Sequence, residues 1–138
     1  MKYIKTASIF LIISITSSLF FSSCEKDKMI PPELNFTTGS GYVSADTGLA
    51  VSTEFKIGVV AKRTEANDDL KTFTVTQSYD GGPETTVESI TIPAAQAAEF
   101  TKEYTFTTRN VTGTEKYTFT VTNRDGLITT KSVTITVH

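Results

Sequence analysis

The chain of 138 residues holds one cysteine, one histidine and no tryptophan. A lone Cys24 excludes an intrachain disulfide and a thiolate metal site. The only histidine, His138, is the last residue, where a base positioned beside a nucleophile is not expected, so a Ser-His or Cys-His centre is excluded. No phosphate-cradling glycine loop occurs, and no helical periodicity extends over any length. Charge is also short on one side. Of 13 Lys and Arg, two (Lys2 and Lys5) fall in the first 23 residues, leaving 11 against 15 Asp and Glu. With no basic stripe, nucleic acid is not an expected partner, and neither is an anionic membrane held by charge. Long apolar runs are missing as well. The single candidate, residues 7–21, is shorter than the roughly 20 residues a spanning helix needs and is interrupted by Ser14, Thr16, Ser17 and Ser18.

What is there begins with that short run. Lys2 and Lys5 form a basic head, Ile9 to Phe21 an apolar core, and Ser22-Ser23 set small residues before Cys24, which is the architecture of an export signal. The string Phe20-Phe21-Ser22-Ser23-Cys24 resembles the lipobox of bacterial lipoproteins, with Phe21 where leucine is commoner. That resemblance implies removal of residues 1–23 and acylation of Cys24. More than one acyl chain gives stable anchoring without a spanning helix, so the expected membrane contact is an N-terminal lipid. Glu25-Lys26-Asp27-Lys28 resembles the Lys/Asp-rich segment that follows the cysteine in surface lipoproteins of the Bacteroidetes type. The implied location is the outer membrane, with either the cell surface or the periplasmic side left open. Residues 24–33 then form a tether closed by Pro31-Pro32, which favour extended geometry. At roughly 3.3 Å per residue, the nine residues of 25–33 reach at most about 30 Å.

Residues 34–138 are expected to form one domain. Period-two alternation recurs over 34–38 with 42–44, 49–62, 70–79, 87–92, 100–108, 115–122 and 127–137, and residues 93–99 allow one helical turn. The inward set is Phe55, Ile57, Val59, Ala61, Phe73, Val75, Phe100, Tyr104, Phe106, Tyr117, Phe119, Val121, Val133, Ile135 and Val137. Tyr79 to Pro83 and Asn123 to Gly126 are turn signals, Asp125-Gly126 the sharper. About seven short strands so spaced imply an all-β sandwich of two antiparallel sheets.

Residues 113–137, with Tyr117-Thr118-Phe119-Thr120-Val121-Thr122, the Asp125-Gly126 turn and Val133-Thr134-Ile135-Thr136-Val137, resemble the closing hairpin of bacterial immunoglobulin-like and PKD-like domains. The resemblance implies that Tyr117 ties the preceding corner to the backbone through its hydroxyl. Phe119 would stand where antibody domains carry their second cysteine. The strands holding Thr72, Thr74 and Thr76, then Thr118, Thr120 and Thr122, then Thr134 and Thr136 would share one sheet, and their outward faces would make a single threonine surface.

Such a surface offers a docking face for a protein or glycan, or an ordered-water array. Threonine is also simply the favoured residue of a half-exposed strand. Acidic residues offer little chemistry: Glu65, Asp68, Asp69, Asp80, Glu84 and Glu88 read as solvated charges near loops, and Glu65, Asn67, Asp68 and Asp69 lack the regular ligand spacing of a calcium loop. No cofactor, metal or catalytic residue is expected. Two readings remain: a lipid-anchored envelope module that binds a protein through a sheet face or edge, or a glycan-binding accessory of an outer-membrane uptake system. The second needs exposed aromatic platforms, for which Tyr42 and Tyr79 are the candidates.

Overall fold

A computed structural model describes residues 28–138. The apolar leader and Cys24 lie outside the described residues. The elements are β1 (Glu33–Phe36), β2 (Thr47–Leu49), β3 (Glu54–Lys62), β4 (Leu70–Tyr79), β5 (Thr85–Thr91), a 3₁₀ turn (Ala94–Gln96), β6 (Glu99–Thr107), β7 (Gly113–Asn123) and β8 (Ile128–Val137). They form a three-stranded sheet in the order β1-β3-β6 and a five-stranded sheet in the order β2-β8-β7-β4-β5. This division of strands is that of an immunoglobulin-like sandwich. Among the described residues, no helix is long and apolar enough to cross a membrane.

Alternation makes the core. Ile57, Val59, Ala61, Phe73, Val75, Phe119, Val121, Val133 and Ile135 have no exposed surface, and each comes from the inward parity of its strand. Aromatic rings bridge the two sheets: Phe36 meets Phe119 edge-on at 5.5 Å, Phe55 meets Tyr117 at 5.6 Å, and Phe106 lies 4.3 Å from Tyr117. Phe119 also lies 6.4 Å from Phe73 and 5.8 Å from Tyr104, at the centre of this cluster. Truncating such a ring typically costs about 3–5 kcal/mol.

Three features depart from the sequence reading. Residues 42–44 do not form a strand; Tyr42 makes an isolated parallel bridge to Lys56. The chain then changes sheets, and β2 pairs in parallel with β8, Thr47 opposite Ile135 and Leu49 opposite Val137. One sheet is therefore mixed rather than antiparallel. Three residues are too few to show alternation, and the switch is fixed by a side chain, since Asp46 Oδ1 accepts a hydrogen bond of 2.8 Å from Thr134 N. The third departure is in β4 and β5, where the register shifts between Leu70 and Thr72 and between Val75 and Thr76. Bulges re-aim side chains. Leu70 becomes buried although it is three positions from Phe73, and Glu88 comes opposite Val75.

The two ends of the sandwich differ. Residues 28–32, the 63–69 loop, residues 92–98 and the 124–127 hairpin cluster at one end, knitted by Arg124 N to Asp69 O at 2.8 Å and Arg63 N to Ala98 O at 3.1 Å. The 50–53 loop, the 80–84 turn, the 108–112 loop and His138 occupy the other, where Val51 N reaches His138 O and Ser52 N reaches Arg109 O.

Candidate functional site

The outer face of the five-stranded sheet is a grid of hydroxyls. Register sets Thr91, Thr72, Thr122 and Ile128 in one row across β5, β4, β7 and β8. Ser89, Thr74, Thr120 and Thr130 make the next, and Thr86, Thr76, Thr118 and Ser132 the third. Inward parity of Phe73, Val75, Phe119, Val121, Val133 and Ile135 forces the threonines outward, because successive side chains point to opposite faces. The six threonines of β4 and β7 are half-buried by their neighbours. Cross-strand hydroxyl bonds tie the rows, Thr74 Oγ1 to Ser89 Oγ at 3.3 Å and Thr120 Oγ1 to Thr130 Oγ1 at 3.1 Å. Glu84 closes the grid by accepting from Thr76 Oγ1 at 2.9 Å and Thr118 Oγ1 at 3.3 Å.

Six of the eight threonines singled out by sequence therefore meet in three rows. Thr134 and Thr136 share their face but stand opposite Lys116 and Thr114, beyond the grid toward the far end. Thr130, Ser132, Thr86, Ser89 and Thr91 complete it in their stead. Counting outward from the Asp125-Gly126 turn places Thr130 and Ser132 opposite Thr120 and Thr118, so those two were within reach of the sequence. In β5, Ser89 and Thr91 follow from alternation against Ile90 and Ile92, whereas Thr86 does not, because the bulge at Val87 changes its parity.

The tyrosine candidates do not share a face. Tyr42 lies on the outer side of the three-stranded sheet, where its hydroxyl donates to Glu103 and Lys56 Nζ pairs with Glu103 at 3.3 Å. The Tyr42 hydroxyl and then Lys56 hold the Glu103 carboxyl below its ordinary range, and the same bond to Glu103 raises the tyrosine. A shallow cleft of about 340 Å³ lies beside it, lined by Ser40, Gly41, Tyr42, Glu54, Phe55 and Lys56. Tyr79, by contrast, belongs to the inward parity of β4 opposite Glu115. The Arg109 guanidinium covers its ring at 4.3 Å.

Two acidic residues, Asp68 and Glu88, depart from the expectation of solvated loop charges, while the side chains of Asp69 and Asp80 are 51% and 53% exposed and Glu84 is exposed. Asp68 is 1% exposed. Glu88 belongs to β5 and spans to the other sheet, accepting from Lys102 Nζ at 2.7 Å and Tyr104 Oη at 2.8 Å. Lys102 first and Tyr104 second hold its carboxyl low, while burial and then Glu88 push the Tyr104 phenol up. Asp80 accepts from Thr114 N at 2.7 Å and pairs with Arg109 at 3.0 Å; the backbone bond and then the guanidinium lower its carboxyl. Asp69 pairs with Arg63 at 2.6 Å, and Glu65 accepts from the backbone of Lys28 at 3.2 Å and Ile30 at 3.4 Å. These groups are distributed over both ends and one edge, each holding protein atoms. Among the described residues, no three His, Cys, Asp or Glu side chains are grouped to hold a metal ion.

Sequence reasoning missed Glu115, which has no exposed surface. Its carboxylate accepts from Arg109 N at 2.7 Å, Arg109 Nε at 3.2 Å and Tyr117 Oη at 2.9 Å. The tyrosine hydroxyl expected to reach the backbone thus reaches it through this carboxylate. Burial first, and Glu115 second, raise the Tyr117 phenol.

No family model matches the chain, and no curated protein does. Solved structures do. A superoxide reductase (neelaredoxin) from Ignicoccus hospitalis aligns over 79% of this chain and 81% of its own at 9% identity, with a TM-score of 0.51. Murine CRIg aligns over 78% of this chain and 98% of its own at 12% identity, with a TM-score of 0.43. The sporulation control protein Spo0M from Bacillus subtilis aligns over 80% of this chain and 50% of its own at 13% identity, with a TM-score of 0.49. At such identities the likeness concerns the fold and carries none of these proteins' activities.

Proposed function

We propose that this protein is a lipid-anchored module of the bacterial outer membrane, held by Cys24, that binds an envelope protein through the hydroxyl face of its five-stranded sheet. The observation that carries this reading is the three-row grid of Thr and Ser side chains. It is interrupted by charge only at Glu84, ends its first row in Ile128, and is aligned in register across four strands. Each row offers hydrogen-bond donors and acceptors beside methyl groups, so a partner can meet it with both polar and apolar contacts. The outer face of the three-stranded sheet contrasts with it, its Lys56–Glu103 and Lys62–Glu99 pairs already satisfied among themselves. A glycan reading has weaker support, because Tyr42 and Tyr79 are held by different sheets and by different charged partners.

Two measurements test the proposal together. In a Gram-negative host, the full chain should fractionate with the outer membrane and a Cys24→Ala variant should be released; retention of both forms in the soluble fraction would remove the anchor. For the face, photo-crosslinking residues at Thr120 and at Lys56 should differ, with a defined adduct at 120 that Thr74→Arg abolishes. An adduct at 56 alone would move the contact to the other sheet. Thr122→Val, on the same face of β7, keeps β propensity and methyl packing but deletes the hydroxyl, so a stability change within about 0.5 kcal/mol together with a lost adduct at 120 assigns the hydroxyls to binding.

A further inference from the structure

The end of the sandwich nearest the N-terminus is built in an unusual way. Residues preceding β1 are docked on the domain. Thr64 Oγ1 donates to Ile30 O at 2.9 Å, and Thr129 Oγ1 donates to Pro32 O at 2.5 Å. Met29 has φ of 55°, a left-handed conformation uncommon for a residue with a side chain. That turn lets the amides on either side, Lys28 N and Ile30 N, both reach the Glu65 carboxylate. Successive amides converging on an anion form a nest. Within the tether expected over 24–33, residues from Lys28 onward are fastened to the domain.

Two consequences follow for the surface. The fastened segment holds Met29 and Ile30 outward, 53% and 41% exposed, and Ile128, 57% exposed, precedes the Thr129 that grips Pro32. Three large apolar side chains thus lie exposed at one end of the molecule, on two chain segments far apart in sequence. Of the charges around them, Lys62 pairs with Glu99, Arg63 with Asp69 and Arg124 with Asp125, while the Glu65 carboxylate is met by the Lys28 and Ile30 amides. Chain length then limits where this end can be. Four residues link Cys24 to Lys28, a reach of at most about 14 Å.

Resting on the lipid anchor at Cys24 proposed above, we infer that this end, through Met29, Ile30 and Ile128, seats in the headgroup layer of the bilayer and holds the domain in one orientation. Apolar side chains buried at the headgroup boundary strengthen attachment in proportion to the area they bury. The nest at Glu65 makes the seating rigid, since Met29 and Ile30 cannot swing independently of β1. The 50–53, 80–84 and 108–112 loops then point away from the membrane, and the hydroxyl grid stands beside it, with Ile128 at the foot of its first row.

The test uses the full chain, purified with its lipid from a Gram-negative host and reconstituted in phosphatidylethanolamine–phosphatidylglycerol vesicles. With Cys24 acylated, a thiol introduced by Ile128→Cys or by Val111→Cys is the sole target of a polarity-sensitive dye. The two positions are almost equally exposed, at 57% and 55%, but lie at opposite ends. The expected result is blue-shifted emission at 128 and severalfold greater quenching there than at 111 by lipids carrying shallow nitroxides. Glu65→Ala, or Met29→Ser with Ile30→Ser, should reduce the quenching at 128 while flotation with vesicles persists. Equal quenching at both positions in protein that still floats overturns the seating and leaves the anchor intact. Failure to float overturns the anchor, and the seating with it.

Discussion

At the scale of single residues, Glu115 is the place where chemistry most constrains the fold. A carboxylate without exposed surface requires donors on both oxygens, and Arg109 and Tyr117 supply them. Tyr117→Phe removes one donor and should cost about 1–3 kcal/mol, and Glu115→Ala, which leaves the Arg109 amide and the Tyr117 hydroxyl without their acceptor, should likewise cost about 1–3 kcal/mol. Urea unfolding reads this as a lower midpoint at unchanged slope. An unaltered midpoint for Tyr117→Phe would mean that water replaces the phenol. Gly58 presents a second constraint: a Cβ there would stand 2.7 Å from Thr37 Cβ and 3.1 Å from the Tyr42 ring. Overpacking of that kind costs about 1–3 kcal/mol, so Gly58→Ala should lower the midpoint although Gly58 lies in a strand where alanine is otherwise tolerated. Period-two alternation from Phe119 and Tyr117 back to Glu115 marks the glutamate as inward in the sequence itself. Its partner was hidden, because Arg109 lies in a loop whose path no periodicity describes.

Among the elements, β5 and β6 are the outer strands of different sheets, and Glu88 with Lys102 and Tyr104 joins them across the open side. Since Glu88 has its folded-state pKa lowered, the stability it contributes is present above the unfolded carboxylate value of about 4.3 and is lost as pH falls through the lower folded value. Thermal unfolding followed from neutral pH downward should therefore show a decline below about pH 4.3 that Glu88→Gln flattens. Parallel curves for the two proteins would show that the latch contributes nothing. This contact illustrates a limit of strand reading. The strand itself was legible from Val87 to Ile92, and Glu88 shares the inward parity of Ile90, but its partners Lys102 and Tyr104 lie on a strand of the other sheet that no local pattern brings opposite it. Similarly, β2 was not legible at all, being three residues held by Asp46 and by parallel pairing with β8.

Considered whole, the molecule has a tethered end and a free end, and the proposed anchoring makes them inequivalent. Protease applied from outside should cut the 108–112 loop, which carries the exposed Val111, in preference to the 63–69 loop beside the tether. Equal cutting of both loops in membrane-bound protein would argue against a fixed orientation. The sequence by itself determined the all-β class, the strand spacing, the inward aromatic and aliphatic set and the outward threonines, because side-chain direction in a strand has period two and needs no partner to define it. The proposed export signal and lipid attachment at Cys24 rest on linear sequence alone. Only tertiary structure decided which hydroxyls become neighbours, that Tyr42 and Tyr79 separate, that residues 28–32 are clamped by Glu65, Thr64 and Thr129, and that Glu115 supports the corner at Arg109. Those facts depend on register, bulges and contacts between residues tens of positions apart, and a local pattern holds no record of them.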